Sequence, residues 1–288
     1  TASGLIIIKV VFDIYFFFAN LIKTFKSFVV NFIINYKVVT ITLLGTGKLS
    51  FNFMNEILKN KSLHLNQIYG RSKFRPKHIS DNIDYIKDIH NLKESDFYFL
   101  CVSDSQISNI SNTLHSKDKV VLHLSGSTDI NVLSKHKNYG VLYPLQTFSY
   151  KSKLLFKEIP MLIEANNKET LTKIKNLAKL FANRIIKMNT KKRLVCHISA
   201  TIANNFSNHM IVSAEKILEA NNIEKDLIKP LVNETFEKLK RMNAIDAQTG
   251  PAVRNDKGTI NKHINQLNES DFLNLYKEIT KNIISNEL

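Results

Sequence analysis

The stretch from Lys37 to Lys59 constrains this chain more than any other. Val38-Val39-Thr40-Ile41-Thr42-Leu43-Leu44 is a β-branched, apolar run that reads as a buried strand. Gly45-Thr46-Gly47-Lys48-Leu49-Ser50 follows at once, and Phe51–Lys59 then repeats apolar residues at helical spacing through Phe53, Ile57 and Leu58. Strand, glycine turn and helix in that order form the G-x-G-x-x-[G/A] dinucleotide-binding turn, with Ser50 as the small third residue. The first glycine permits the tight turn and the second lets a pyrophosphate approach the backbone, which faces the free N–H groups of the helix start. Gly45, Thr46, Gly47, Lys48 and Leu49 are therefore the first predicted cofactor contacts. An ATP-binding P-loop does not fit, because position 49 is Leu and position 42 is Thr.

Further strands follow at regular intervals. Leu65–Tyr69 ends in Gly70-Arg71-Ser72, where an NAD site would place an acid for the ribose hydroxyls. Here the acid is missing and Arg71, Ser72, Lys73 and Arg75 crowd the position, which favours a 2′-phosphate and hence NADP (NADPH) over NAD. Asp96–Val102 leads into Ser103-Asp104, Lys119–Leu124 into Ser125-Gly126-Ser127, and Gly140–Tyr143 into Pro144-Leu145-Gln146-Thr147-Phe148. Residues 159–164 and 184–188 complete the set. Strands alternating with helices predict an α/β fold with a doubly wound, mostly parallel Rossmann-type sheet. Ligands of such sheets lie beyond the C-terminal strand ends. Val102, Ser103, Asp104, Ser125 and Gly126 thus join the predicted cofactor set.

From about residue 190 no further strand reads clearly, and an all-α C-terminal domain is expected. The boundaries drawn from sequence are 1–36, 37–190 and 191–288. Cys196–Ala220 reads as a long helix carrying His197, Thr201, Asn205 and Asn208 in one polar stripe. Carboxamides on an apolar helix are costly without a partner, which is a neighbouring helix or subunit, or else substrate and nicotinamide. His197, Asn205 and Asn208 are the catalytic candidates, with His197 as acid/base because histidine is the residue type suited to proton transfer at neutral pH. Gln146, Thr147, Thr249 and Arg254 are the substrate-binding candidates; Arg254 can grip a carboxylate or phosphate.

Composition narrows the alternatives. The 288 residues hold 40 Lys and Arg against 25 Asp and Glu, a formal charge of +15. The excess is spread along a Lys-, Asn-, Ile- and Phe-rich chain without Trp, which argues for compositional bias and against nucleic-acid binding. Two cysteines exclude a disulfide framework and suit a reducing, cytoplasmic setting, and the histidines lack metal-ligand spacing. Residues 1–36 differ, with seven of the 18 phenylalanines interrupted by Lys9, Asp13, Lys23 and Lys26. Their uncharged runs are short for a membrane span. Text translated from upstream of a start near Lys37 fits best, ahead of a membrane-associated segment or a structural extension.

The order of motifs resembles a Rossmann-like oxidoreductase family whose C-terminal half is the domain of unknown function 2520. That family is similar to the group containing pyrroline-5-carboxylate reductase and the coenzyme F420-dependent NADP oxidoreductases. The matching text is Leu44-Gly45-Thr46-Gly47, Tyr69-Gly70-Arg71-Ser72, Cys101-Val102-Ser103-Asp104 and His123-Leu124-Ser125-Gly126-Ser127. It continues with Tyr143-Pro144-Leu145-Gln146-Thr147-Phe148-Ser149, Ala203–His209, Glu234-Thr235 and Gln248–Asp256. The resemblance covers residue 37 to the end and implies an NADP-binding domain followed by a helical domain that mediates dimerisation. It supplies no substrate, and residues 1–36 have no counterpart in it. The expected function is an NADP-dependent oxidoreductase that moves hydride to or from a small carbonyl or imine bound between the domains. The alternative is a non-catalytic NADP-binding sensor or interaction module.

Overall fold

The computed structural model describes residues 20–23, 38–151, 153–267 and 270–285. The reading of residues 1–36 therefore lies outside the described residues but for one helical turn. The chain divides into two compact units after Ala200.

The first unit is an eight-stranded sheet. Its strands are β1 (Val39–Leu44), β2 (Leu63–Tyr69), β3 (Tyr85–Ile86), β4 (Phe97–Leu100), β5 (Val120–His123), β6 (Asn138–Pro144), β7 (Met161–Ala165) and β8 (Ile185–Lys187). The order across the sheet is β3-β2-β1-β4-β5-β6-β7-β8. The helices are α1 (Lys48–Lys59), α2 (Asp104–Thr113), α3 (Lys168–Phe181) and α4 (Thr190–Ala200). This is the expected mostly parallel α/β sheet. The departure is β7, which runs antiparallel to β6 with Leu142 opposite Ile163. Among the described residues of 145–160 between them there is only a 3-10 turn (Phe156–Glu158) and no α-helix, and a parallel return usually runs through a helix. The two-residue β3, paired with Ile68 and Tyr69, is too short to show alternation in sequence.

Ile41, Leu43 and Leu44 of β1 are fully buried, because helices cover both faces of a parallel sheet. Phe53 of α1 packs edge-on against Phe99, Phe156 and Phe181 at 5.2–5.5 Å. Ile174, Leu177, Ala178 and Phe181 present one apolar face of α3 to the same core. β2 lies on one side of β1 and β4 on the other, with Leu44 level with both Tyr69 and Leu100. That reversal of direction is the switch point where α/β sheets open a crevice.

The second unit holds helices only among its described residues. A π-helical stretch (Thr201–Phe206) is followed by α5 (Ser207–Ala220), α6 (Lys229–Leu239), α7 (Ala244–Ala247), α8 (Lys257–Gln266) and α9 (Leu273–Ser285). Asp256 caps α8 by accepting from the Thr259 N–H and hydroxyl. Among the described residues of this unit, only Ser213, Ala252 and Ile260 are buried. The units divide about ten residues beyond the boundary drawn from sequence, because Arg193 ties the first turns of α4 into the sheet.

No helix of the described residues is long and apolar enough to cross a membrane.

Candidate functional site

A cavity of about 330 Å3 opens at the C-terminal end of the switch point. Gly45, Thr46 and Gly47 form its floor, Tyr69, Gly70, Arg71 and Ser72 one wall, and Cys101, Val102, Ser103, Gln106 and Ile110 the other. Gly45 sits at φ +123°, and a β-carbon there would collide with the Cys101 carbonyl just past β4. Gly47 precedes α1 in extended conformation, and a β-carbon there would meet nothing within 4 Å. The first glycine thus serves the turn and the second keeps a space open. No side chain caps α1, so its first N–H groups and the positive end of its dipole face that space. An uncapped helix start over an open glycine fits a pyrophosphate.

Of the basic residues after β2, Arg71 faces the cavity, its guanidinium donating to the Gln106 carboxamide oxygen at 3.2 Å. Gln106 was not read from the sequence; its signal was a polar residue one turn into the helix after β4. Arg75 instead donates to the Ser80 and Ile83 carbonyls and packs over the Tyr85 ring, so it holds its own loop. Lys73 lies over Phe74. Seven of the predicted cofactor residues line the cavity: Gly45, Thr46, Gly47, Arg71, Ser72, Val102 and Ser103. Lys48 and Leu49 fall on the first turn of α1, and Asp104, Ser125 and Gly126 lie further along the same strand ends.

There the loops after β4 and β5 are locked together. The Asp104 carboxylate accepts from the Ser125 hydroxyl at 2.7 Å and the Ser127 hydroxyl at 2.5 Å. Ser125 Oγ in turn accepts the N–H groups of Ser127 and Thr128. His123 below is fully buried, its Nδ1 accepting the Ser125 N–H at 3.2 Å. Desolvation, reinforced by the Arg193 charge, depresses its pKa to about 3, so it is neutral at pH 7. Burial holds the Cys101 thiol in its neutral form as well. Both cysteines are free.

His197 stands on α4 at the end of this row. Its ring lies against Gly126, where a β-carbon would come within 2.6 Å of it. Its Nδ1 is 3.0 Å from the Tyr143 hydroxyl at the end of β6, the two rings meeting edge to face. The sequence named His197 but not Tyr143, since nothing local marks a strand tyrosine as a hydrogen-bonding partner of a residue 54 positions later. Burial, with lesser help from Cys196 and Asp104 and against Arg193, raises the Tyr143 pKa. Arg193, 1% exposed, fixes α4 by bonding the Glu164 carboxylate, the Thr128 carbonyl and the Thr190 hydroxyl.

The remaining candidates divide between the two units. Gln146 and Thr147 are exposed, the Gln146 carboxamide accepting the Thr147 N–H. Asn205, Asn208, Thr249 and Arg254 belong to the helical unit and are exposed. A π-helical stretch (Thr201–Phe206) interrupts the single α-helix expected over Cys196–Ala220. Asn204 donates to Asn205 at 2.8 Å.

The fold is of the Rossmann-like NAD(P)-binding class and is structurally similar to NADP-dependent oxidoreductases. Within that class, residues 159–283 match the model of the domain of unknown function DUF2520, so the chain carries that C-terminal domain. A Bacteroides fragilis protein provisionally described as an NADP oxidoreductase is similar at 28% identity and a TM-score of 0.79. The match covers 87% of this chain and 100% of that one. A Thermotoga maritima protein matches with 22% identity and a TM-score of 0.71, over 84% of this chain and 96% of that one. Pyrroline carboxylate reductase from Plasmodium falciparum, solved with NADP bound, shares the fold at 14% identity and a TM-score of 0.53, over 86% and 99%. No curated protein matches the chain in sequence.

Proposed function

We propose that the chain is an NADP-dependent oxidoreductase acting on a small carbonyl or imine. The observation that carries this reading is the switch-point cavity, where Gly47 leaves open space before an uncapped helix start and Arg71 stands on the opposite wall. Gly45–Gly47 and the start of α1 would hold the pyrophosphate. Arg71 and Ser72, exposed and with no acid beside them, would hold a 2′-phosphate. Val102 and Ser103 would line the way to the nicotinamide end. The bound cofactor supplies hydride; the protein supplies orientation, exclusion of water and a proton.

Homodimerisation is part of the reading. Ile202, Phe206, Leu231, Phe236 and Ile245 in the helical unit are 46–81% exposed. A second copy of the same unit is the occupant with a matching apolar surface in a closed, two-fold arrangement. Two free cysteines suit a cytoplasmic location.

Calorimetric titration of the protein with NADPH and NADH tests the cofactor. The expected result is micromolar or tighter NADPH binding, at least tenfold selective over NADH, with the selectivity lost in Arg71→Ala. Absence of binding by folded protein overturns the reading.

A further inference from the structure

We propose that Tyr143 is the proton donor of this site, that His197 is its positioning partner, and that the group reduced is a carbonyl whose oxygen takes the proton. This rests on the oxidoreductase reading above and adds what that reading lacks, a named acid and a choice between carbonyl and imine.

Position is the first argument. Leu100, His123 and Val141 stand level on β4, β5 and β6, and neighbouring parallel strands lie about 4.8 Å apart. Tyr143 therefore sits roughly 10 Å along the sheet edge from β4, two strand spacings on. A continuous set of contacts joins it to the cavity. Ser103 lines the cavity; Asp104, next to it, binds Ser125 and Ser127; Gly126 between those serines supports the His197 ring; and His197 meets Tyr143. A dinucleotide with its pyrophosphate at Gly47 runs out over these strand ends.

Elimination is the second. A proton donor at this edge must carry a proton at neutral pH and be able to give it outward. The Asp104 carboxylate is occupied by two serine hydroxyls. His123 is fully buried beneath the loop, and Cys101 is buried and neutral. Tyr69 also lines the cavity, but on β2, beyond the switch point from β5 and β6. Tyr143 is kept neutral by burial, and its hydroxyl is within hydrogen-bond distance of a ring nitrogen. The charged and titratable groups around it are Asp104 on α2, Glu164 on β7, and Arg193, Cys196 and His197 on α4, with Arg193 paired to Glu164.

That neighbourhood suits a carbonyl. An iminium nitrogen already carries its proton, so hydride addition to its carbon gives a neutral amine and calls for no further proton in that step. A carbonyl oxygen becomes an alkoxide as hydride adds to its carbon and needs a proton in the same step. The bound cofactor would supply the hydride and its electron pair to the carbonyl carbon and would itself be oxidised as the carbonyl is reduced. The carbonyl π pair takes the Tyr143 hydroxyl proton, giving the alcohol. The phenolate left behind accepts a hydrogen bond from His197 Nδ1–H and regains its proton from water after the alcohol leaves. Arg193, anchored to β7 and to the loop after β5, fixes α4 and with it the imidazole.

The test uses the full chain. First, 15N spectra of the histidine rings without cofactor should show a protonated Nδ1 on His197 that shifts in Tyr143→Phe. An unprotonated Nδ1, or one indifferent to Tyr143→Phe, overturns the pairing. Second, NADPH consumption is followed with 2-oxo acids, aliphatic aldehydes and cyclic ketones as probes. The wild type should reduce at least one of them. Tyr143→Phe should lose about 10²–10⁴-fold in kcat with NADPH affinity within twofold. His197→Ala should lose less, and His197→Asn, whose amide N–H stands in for Nδ1–H, should recover part of that loss. Tyr143→Phe turning over within threefold of wild type overturns the proposal. So does a wild type that binds NADPH yet reduces none of the probes. Failure to bind NADPH at all sinks the oxidoreductase reading itself, which separates the two.

Discussion

The two units of this chain solve the problem of apolar surface differently. The α/β unit places its apolar side chains inside itself: β1, β4 and β5 are buried along most of their length, and Phe53, Phe99, Phe156 and Phe181 interlock beneath α1 and α3. The helical unit buries three described residues and leaves Phe206, Leu231 and Ile245 largely open. A parallel sheet is closed by its own crossover helices, whereas amphipathic helices need another surface. The first unit should therefore be stable at any concentration, and the second should depend on a partner copy.

The largest effect that could break this comparison is inside the sheet unit. Glu164→Ala leaves the buried Arg193 guanidinium without its counter-charge. Its expected cost is about 3–5 kcal/mol, measured by denaturant unfolding and independent of protein concentration. Gly45→Ala forces a β-carbon onto the Cys101 carbonyl at a positive φ and should cost about 2–4 kcal/mol. In the helical unit, Phe206→Glu should convert a dimer to monomers in sedimentation, with roughly 1.5–3 kcal/mol lost per buried ring. A wild type that sediments as a monomer at every concentration would break the contrast.

Acid sharpens it further. His123 is depressed to about 3 in the folded chain and has an ordinary value near 6.5 unfolded. Between those values the unfolded chain binds the extra proton, so stability falls as pH drops through about 6.5 towards about 3. At about pH 5 the loss is about 2 kcal/mol by linkage. His123→Asn, which keeps an acceptor for the Ser125 N–H, should flatten that slope. The smallest effect is Gly47→Ala: stability within about 0.5–1 kcal/mol of wild type, but NADPH affinity reduced about tenfold, since the new methyl enters the open space.

Much of the candidate site at the switch point was legible because it is local. Strand, glycine turn and helix are adjacent in sequence, so the residue order alone places Gly45, Gly47, Arg71 and Ser103 around one cavity, where the fold does put them. Spacing alone grouped Arg75 with Arg71 after β2, because it cannot tell a cation that faces a cavity from one that ties its own loop, as Arg75 does. Tyr143 was missed because its meaning depends on a residue on another element.

By itself the sequence determined what short-range sterics and periodicity determine: β-branched runs that must be strands, a glycine turn whose backbone few other residues can adopt, and helical patterning after residue 190. Only the tertiary structure decided which polar residues share a neighbourhood. It ran β7 antiparallel for want of a crossover helix, broke the expected long helix with a π-helical stretch, and set Tyr143 against His197. Such contacts join positions tens of residues apart, and they arise from the packing of whole elements, to which no local pattern in the chain is sensitive.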